Sequence, residues 1–354
     1  MTAPAPTPQE FDTAIEATAE LGVRQRSGLR GKGPIFRREK RHEFRYLLSV
    51  LCAIVCSWVA RLTPGSVRYW IADRFGDLYF RTAPSYRANV SANVRQVLGE
   101  QSSEREVMRT TRNVFRTSAR NFADLLLVPH RTNGEHNRQT KIVRGSYGNL
   151  DAALSEGLGA LILSGHVGAF DLMGQVLDER GYDLTVVTAR TTGRFLFDAV
   201  TYLRRARGLE LVEATPSGVK RAIQNVRSGG CAVFVSDRDF FQSGREVTFF
   251  GRRTSLPPGI VRIARETGAP VVPVFGERIG RGHGITIEPG FKIPRTSNVE
   301  ADLQGGIEAV AAILERAISH LPDQWVMFQR VWPSEPVGQV LGAPAGSPLA
   351  TVDA

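Results

Sequence analysis

The chain has 354 residues, enough for one elaborated α/β domain and too few for two large ones. With 42% hydrophobic and 23% charged residues it has the balance of a chain that buries a real core, which excludes a chain without one. A formal net charge of +10 suits an anionic partner, whether nucleic acid, a membrane surface or a phosphorylated small molecule, without choosing among them. The three cysteines, Cys52, Cys56 and Cys231, show neither a disulfide framework nor zinc spacing, so a reducing, cytoplasmic-side location is expected.

Residues 1–44 are expected to form a disordered tail. Its first half is rich in Ala, Thr, Pro and Glu, and a basic run from Arg24 to Arg41 follows. The uncharged segment Tyr46–Ala60 is about 15 residues long, short of the ~20 that cross a bilayer comfortably. It starts too far from the N-terminus, and lacks the small-residue cleavage site, for a signal peptide. It reads as a helix over 46–60 that dips into or lies along a membrane, held by the basic run to an anionic leaflet. The alternative is a buried core helix; Arg45, Arg61 and Trp58 at its ends favour the membrane.

Helical spacing continues over Ser85–Leu98 and Glu104–Leu127, so residues 45–140 form a helical region. From 141 to 333 short apolar runs alternate with helical ones. Strands are expected at Ala160–Ser164, Leu184–Ala189, Cys231–Asp237, Pro270–Phe275, Gly284–Glu288 and Gln324–Val331. Helices are expected at Val219–Val226, Ile260–Thr267 and Ile307–His320. The pattern predicts an α/β fold with a central, mostly parallel sheet flanked by helices. Residues 334–354, rich in Gly, Ala and Pro, are expected to be a disordered tail.

The chemistry concentrates at Leu163-Ser164-Gly165-His166-Val167-Gly168-Ala169-Phe170-Asp171. A buried strand ends here and a helix begins near Phe170, and ligands of open α/β sheets gather at such strand ends. Positions five apart point away from each other on one helix. His166 and Asp171 meet only if the histidine lies in the turn and the aspartate in the first helical turn. Asp171 would then take one imidazole N–H and leave the other nitrogen free to remove a proton from an alcohol. Gly168 keeps the backbone unobstructed, and its N–H is a candidate for stabilising an oxyanion. A surface or core histidine is the alternative that spacing alone leaves open. No G-x-S-x-G elbow or H-E-x-x-H spacing is present, so neither a serine nucleophile nor a metal is expected. Asp237, Arg238 and Asp239 lie at another strand end; Arg238 is expected to bind a phosphate and the flanking acids to hold it, an ion-pair network rather than a metal site. Phe249 and Phe250 are expected to line an apolar channel or pack the core.

The His166…Asp171 segment resembles the H-x4-D/E motif of the lysophospholipid acyltransferase superfamily. Three later blocks are similar to its branch of lipid A biosynthesis (lauroyl/myristoyl) and phosphatidylinositol mannoside acyltransferases. They are Ser236-Asp237-Arg238-Asp239 with Gly244 through Gly251, Leu256-Pro257 through Pro273, and Pro322-Asp323-Gln324-Trp325 with Arg330-Val331-Trp332. The likeness covers roughly residues 45–333 and implies a glycerolipid acyltransferase-like fold. It also implies that His166, paired with Asp171, is a general base that lets a lipid hydroxyl attack an acyl thioester directly. No cofactor is implied beyond acyl-CoA or acyl carrier protein as co-substrate. It further implies that Arg190 binds a phosphate or headgroup and that Glu246 is the acid that supports the catalytic histidine. The usual Asn-Pro after Arg190 is replaced by Thr192-Gly193, which puts acceptor binding in doubt. Asp171 rather than Glu tilts the acceptor toward a glycolipid or phospholipid other than lipid A.

The expected partners are an anionic membrane surface, the acyl donor and a lipid acceptor, at the cytoplasmic face of the inner membrane. Alternatives are a lipid hydrolase or transacylase on the same fold, and a degenerate protein without activity, against which the intact motif speaks. A nucleic-acid partner is not expected, since no such motif and little basic–aromatic interleaving accompany the charge.

Overall fold

The computed structural model describes residues 35–189, 193–280 and 282–332. The tail expected at 334–354, most of that at 1–44, and Arg190 lie outside the described residues. The first helix is longer than its apolar run. α1 covers Ile35–Leu62, so the segment up to 44 is helical from Ile35 rather than tail. The physical reason is plain: no Gly or Pro interrupts this stretch until Pro64, and its charged residues are good helix formers. α2 (Gly65–Thr82), α3 (Pro84–Leu98) and α4 (Glu104–Leu125) complete a helical layer. Ser103 caps α4 by accepting from the Glu106 amide.

α2 and α4 touch backbone to backbone at Gly76, where a Cβ would stand 2.8 Å from the Arg116 Cα. One residue on, the buried carboxylate of Asp77 is clasped by two guanidinium forks, Arg112 and Arg116, through bonds of 2.7–2.8 Å.

After α5 (Glu135–Gln139), the chain runs β1 (Thr140–Gly145), α6 (Tyr147–Leu154), β2 (Ala160–Ser164), α7 (Phe170–Asp178), β3 (Leu184–Thr188), α8 (Arg194–Arg205), β4 (Glu210–Glu213), α9 (Pro216–Arg227) and β5 (Cys231–Val235). A hairpin follows, β6 (Arg245–Phe249) and β7 (Arg252–Leu256), then α10 (Gly259–Thr267), β8 (Val271–Ile279), β9 (Gly282–Ile287) and α11 (Val299–His320). Seven strands form one sheet in the order β1-β9-β8-β2-β5-β3-β4. All its pairings are parallel except β8 with β9. The alternation of apolar runs thus correctly predicts an α/β fold with a mostly parallel sheet.

β2 shows why such strands read as unbroken apolar runs: Leu161 and Leu163 face the cluster under α9, α10 and α11, while Ala160 and Ile162 face the one under α7. The strand expected at Gln324–Val331 does not join the sheet. Its start is a 3-10 turn at Pro322–Gln324, and Trp325 makes one isolated bridge with Val167. Its backbone is spent on the turn after β2 instead. The β6–β7 hairpin and β4 escape the sequence reading because their polar, half-exposed residues present no apolar run.

The Asp77 clasp carries a pH signature. Hydrogen bonds from Arg116 and Arg112 outweigh the opposing effect of burial and hold its carboxyl well below the carboxylate range. A depressed carboxylate stabilises the fold above its unfolded pKa of about 3.9, and the gain is lost as pH falls below that. Asp77→Asn should therefore melt at a lower temperature than the parent at pH 7, with the gap narrowing below about pH 4. Melting curves followed by circular dichroism across this range check it; a gap independent of pH contradicts it.

Candidate active site

β2 and β5 are parallel neighbours, with Ser164 opposite Val235. Two residues beyond each end lie His166 and Asp237, brought side by side at the carboxyl edge of the sheet. The imidazole Nδ1 is 2.8 Å from Asp237 Oδ1, and the His166 backbone N–H donates to Oδ2 at 2.8 Å. The indole N–H of Trp325 donates to the same Oδ2 at 2.9 Å. Asp237 has no solvent exposure. Burial alone would raise its pKa. The facing imidazole and the donors from His166 and Trp325 outweigh burial and hold the carboxyl below its ordinary value. An ionised carboxylate accepts only, so Nδ1 carries a proton, and in the neutral ring the lone pair is then on Nε2. The His166 side chain is 28% exposed, and its ring stands edge-on to Phe170 with centroids 5.1 Å apart.

The turn that carries His166 is clamped from two sides. The His166 carbonyl accepts from the Val326 amide at 2.8 Å, and the Gly168 N–H donates to the Gln324 carbonyl at 2.9 Å. The Gly168 carbonyl accepts from Asn121 Nδ2 at 2.7 Å. Asn121 Oδ1 in turn takes the Nε–H of Arg278, whose other end pairs with Asp124. Gly168 has φ +59°, and a Cβ there would lie 2.2 Å from the Gly276 carbonyl oxygen on β8. Only glycine fits this position.

Several expectations need correction. Asp171 does not meet His166. It sits in the first turn of α7 and accepts from Arg204 Nε of α8 at 2.7 Å, tying two helices together. Asp237 is the partner of the histidine rather than a holder of Arg238. Asp239 is occupied in closing its own loop, accepting from the Gly244 amide and the Ser255 hydroxyl, each at 2.8 Å. Glu246 is exposed on β6, on the face opposite buried Val247 and Phe249, and no hydrogen bond or ion pair joins it to His166. The N–H of Gly168 is already donated to Gln324, so it is not free for an oxyanion. Arg238 is half-buried beside Asp237, its guanidinium 5.4 Å from the Phe240 ring centroid, and burial pulls its pKa down. Phe249 packs the core, stacked on Trp332 with centroids 5.6 Å apart. Among the described residues no group of three or more His, Cys, Asp or Glu is placed to hold a metal ion.

Two residues of the site carried no signal for their roles. Trp325 and Asn121 come from the ends of distant segments and meet the turn only in three dimensions. Asp237 was visible as a strand-end acid, but the adjacency of β2 and β5 was not.

The family model described as Bacterial lipid A biosynthesis acyltransferase matches residues 34–334. The chain belongs to that family. It is accordingly an O-acyltransferase of lipid biosynthesis, in the branch its motifs resemble. Among similar proteins is the phosphatidylinositol mannoside acyltransferase of Mycobacterium tuberculosis. In strain CDC 1551 it is 29% identical over 60% of this chain and 67% of that protein. In strain H37Rv it is 30% identical over 55% and 61%. The Escherichia coli lipid A biosynthesis myristoyltransferase is 24% identical over 87% of this chain and 93% of that protein. The lipid A family match takes in all the described residues, from α1 to Trp332.

Trp325→Phe keeps the ring in its aromatic cluster and deletes one of the three donors to Asp237. A hydrogen bond to a charged group contributes about 1.5–3 kcal/mol. The variant should lose stability of that order in urea titration, with an unchanged m-value; wild-type stability would show that the indole N–H does not matter to the carboxylate.

Proposed function

We propose that this lipid acyltransferase moves a fatty acyl group from a thioester of CoA or acyl carrier protein to a hydroxyl of a membrane glycolipid or phospholipid, with His166 as general base. The observation that carries the mechanism is the contact of His166 Nδ1 with buried Asp237. Nε2 takes the proton of the acceptor hydroxyl as its oxygen attacks the thioester carbonyl. The imidazolium formed is balanced by Asp237, which stays ionised. The tetrahedral intermediate collapses, the C–S bond breaks, and the departing sulfur takes the proton from Nε2, leaving a free thiol, the acylated lipid and a neutral imidazole. No acyl-enzyme, metal or cofactor enters this route.

A cavity of about 290 Å³ lies at the carboxyl ends of β3 and β4, the same sheet edge as the histidine. Thr188, Asp198, Thr201, Tyr202 and Arg205 line it, with Tyr46 of α1 at its rim. The hydroxyl, carboxylate and guanidinium groups among these suit a polyhydroxylated headgroup set against an apolar wall of Phe197, Leu211 and Val212, and the mannoside acyltransferases among the similar proteins support a glycolipid acceptor.

Membrane association is part of the same reading. Phe44–Leu62 is one helical stretch of 19 residues, mean hydropathy 1.6, long and apolar enough to cross a membrane. One stripe of it, Ser49, Ala53, Ser57 and Ala60, is buried against the domain, with the Ser57 hydroxyl donating to the Leu126 carbonyl at 2.6 Å. The opposite side exposes Leu47, Leu51, Val55, Trp58 and Val59. α2 adds an exposed apolar stripe at helical spacing, Val67, Trp70, Ile71, Phe75 and Leu78. A helix bound to its domain along one side lies in a leaflet rather than crossing it, and the occupant of these two faces is lipid at the cytoplasmic surface of the inner membrane.

Radiolabelled acyl-CoA, offered with membranes, tests the reaction. Label in a lipid is expected, and free fatty acid alone would make the protein a hydrolase. His166→Ala should abolish transfer. Asp237→Asn should lower kcat by about 10²–10⁴. Asp171→Asn should cost far less in rate, and Glu246→Gln nothing measurable. A larger loss from Asp171→Asn than from Asp237→Asn contradicts the pairing.

A further inference from the structure

A second, larger cavity of about 600 Å³ opens where α1 ends and α2 begins, closed behind by the segment from Leu127 to Arg131. None of its lining residues belongs to the catalytic pair or its turn. Three arginines line it, Arg61, Arg68 and Arg131, against a single carboxylate, Glu135. Glu135 is already taken: it pairs with Arg131 and accepts from the Thr132 amide at 3.1 Å. Arg61 and Arg68 have no carboxylate partner among the described residues. Arg61 makes one long contact, 3.4 Å, to the His130 carbonyl. Arg68 donates from Nη1 to the Ala60 and Thr63 carbonyls at 3.0 and 3.1 Å, while its Nε is buried with no acceptor. Two guanidinium groups that line one cavity without a carboxylate partner call for an anion from outside.

The position says which. Exposed apolar side chains adjoin the lining: the Trp58 ring stands 4.6 Å from the ring of His130, centroid to centroid, and Leu62, Val67 and Trp70 are chain neighbours of Arg61, Ser66, Arg68 and Tyr69; Trp58, Val67 and Trp70 belong to the faces assigned above to lipid. Fixed cationic donors at the edge of an apolar footprint match the chemistry of a phosphodiester above its acyl chains. We propose that this cavity binds the phosphate of an anionic membrane phospholipid through Arg61 and Arg68, with the lipid's chains lying along α1 and α2. The proposal rests on the membrane reading of these helices, and gives the enzyme a lipid site separate from its acceptor cavity.

Diffuse attraction to an anionic surface also comes from the basic run that leads into α1, so the test screens it out. At 1 M salt the Debye length is about 3 Å and exposed charges act only at contact. The full chain is sedimented with phosphatidylcholine vesicles, with and without phosphatidylglycerol, at this salt. The wild type should still bind the anionic vesicles about tenfold more tightly, as a charge-assisted contact allows. Arg61→Ala should lose that preference. So should Ser66→Asp, which sets a carboxylate in the cavity lining while favouring the start of α2. Both should still bind neutral vesicles. Arg45→Ala, which removes an exposed charge from α1 outside the cavity, should keep the preference. Preference absent in the wild type, or retained by both cavity variants, overturns the site while leaving the membrane reading intact. Failure of the wild type to bind either vesicle overturns the membrane reading and the site with it.

Discussion

A carboxylate with no solvent exposure sits at the centre of this enzyme, and the rest of the site is arranged around satisfying it. Left without partners, a buried charge would neutralise or unfold its surroundings. Asp237 is met by three donors from two separate segments: the backbone and ring of His166 after β2, and the indole of Trp325 near the end of the described chain. Each donor has its own reason to be where it is. The histidine turn extends a buried parallel strand, and Trp325 is packed among Phe249 and Trp332. The carboxylate therefore locks β2, β5 and the C-terminal segment together, and its charge sets which imidazole nitrogen is free.

The next layer holds the turn rather than the ring. Gly168 lies against β8 so closely that a side chain is excluded, and its two peptide groups are claimed by Gln324 and Asn121. Asn121 belongs to α4, and through Arg278 and Asp124 it reaches Tyr69 of α2, whose hydroxyl donates to Asp124 at 2.6 Å. α2 also carries an apolar stripe assigned to lipid. The histidine turn and the apolar stripe of α2 thus share one polar frame, which on the proposed reading keeps the imidazole in a fixed relation to the membrane that would supply the acceptor.

Much of this was legible beforehand. The strand runs around Ala160–Ser164 and Cys231–Val235, the helix breaks, and the downstream motif blocks were enough to place the fold and the histidine. What could not be read was which strands lie side by side. Asp171 is nearer to His166 in sequence than Asp237 is, but a helix start carries its side chain toward Arg204, whereas parallel pairing of β2 with β5 brings residues 71 apart into contact. Local spacing proposes partners and sheet order chooses among them. The same limit hides the role of Trp325, whose segment is an apolar run like a strand but whose neighbouring backbone groups, on Gln324 and Val326, bond the histidine turn. The extent of α1 escapes the sequence for a different reason: a basic, Gly- and Pro-containing run suggests disorder, but from Ile35 on the chain is free of both and supports a helix whatever its charge.

The state of the His166 ring tests the account most directly. Nuclear magnetic resonance of protein labelled with ¹⁵N at histidine should show Nδ1 protonated, with its proton shifted downfield by the Asp237 carboxylate, and Nε2 bare. That proton signal should vanish in Asp237→Asn and persist in Asp171→Asn. A neutral ring protonated at Nε2, or a signal that depends on Asp171 and not on Asp237, would contradict the central claim.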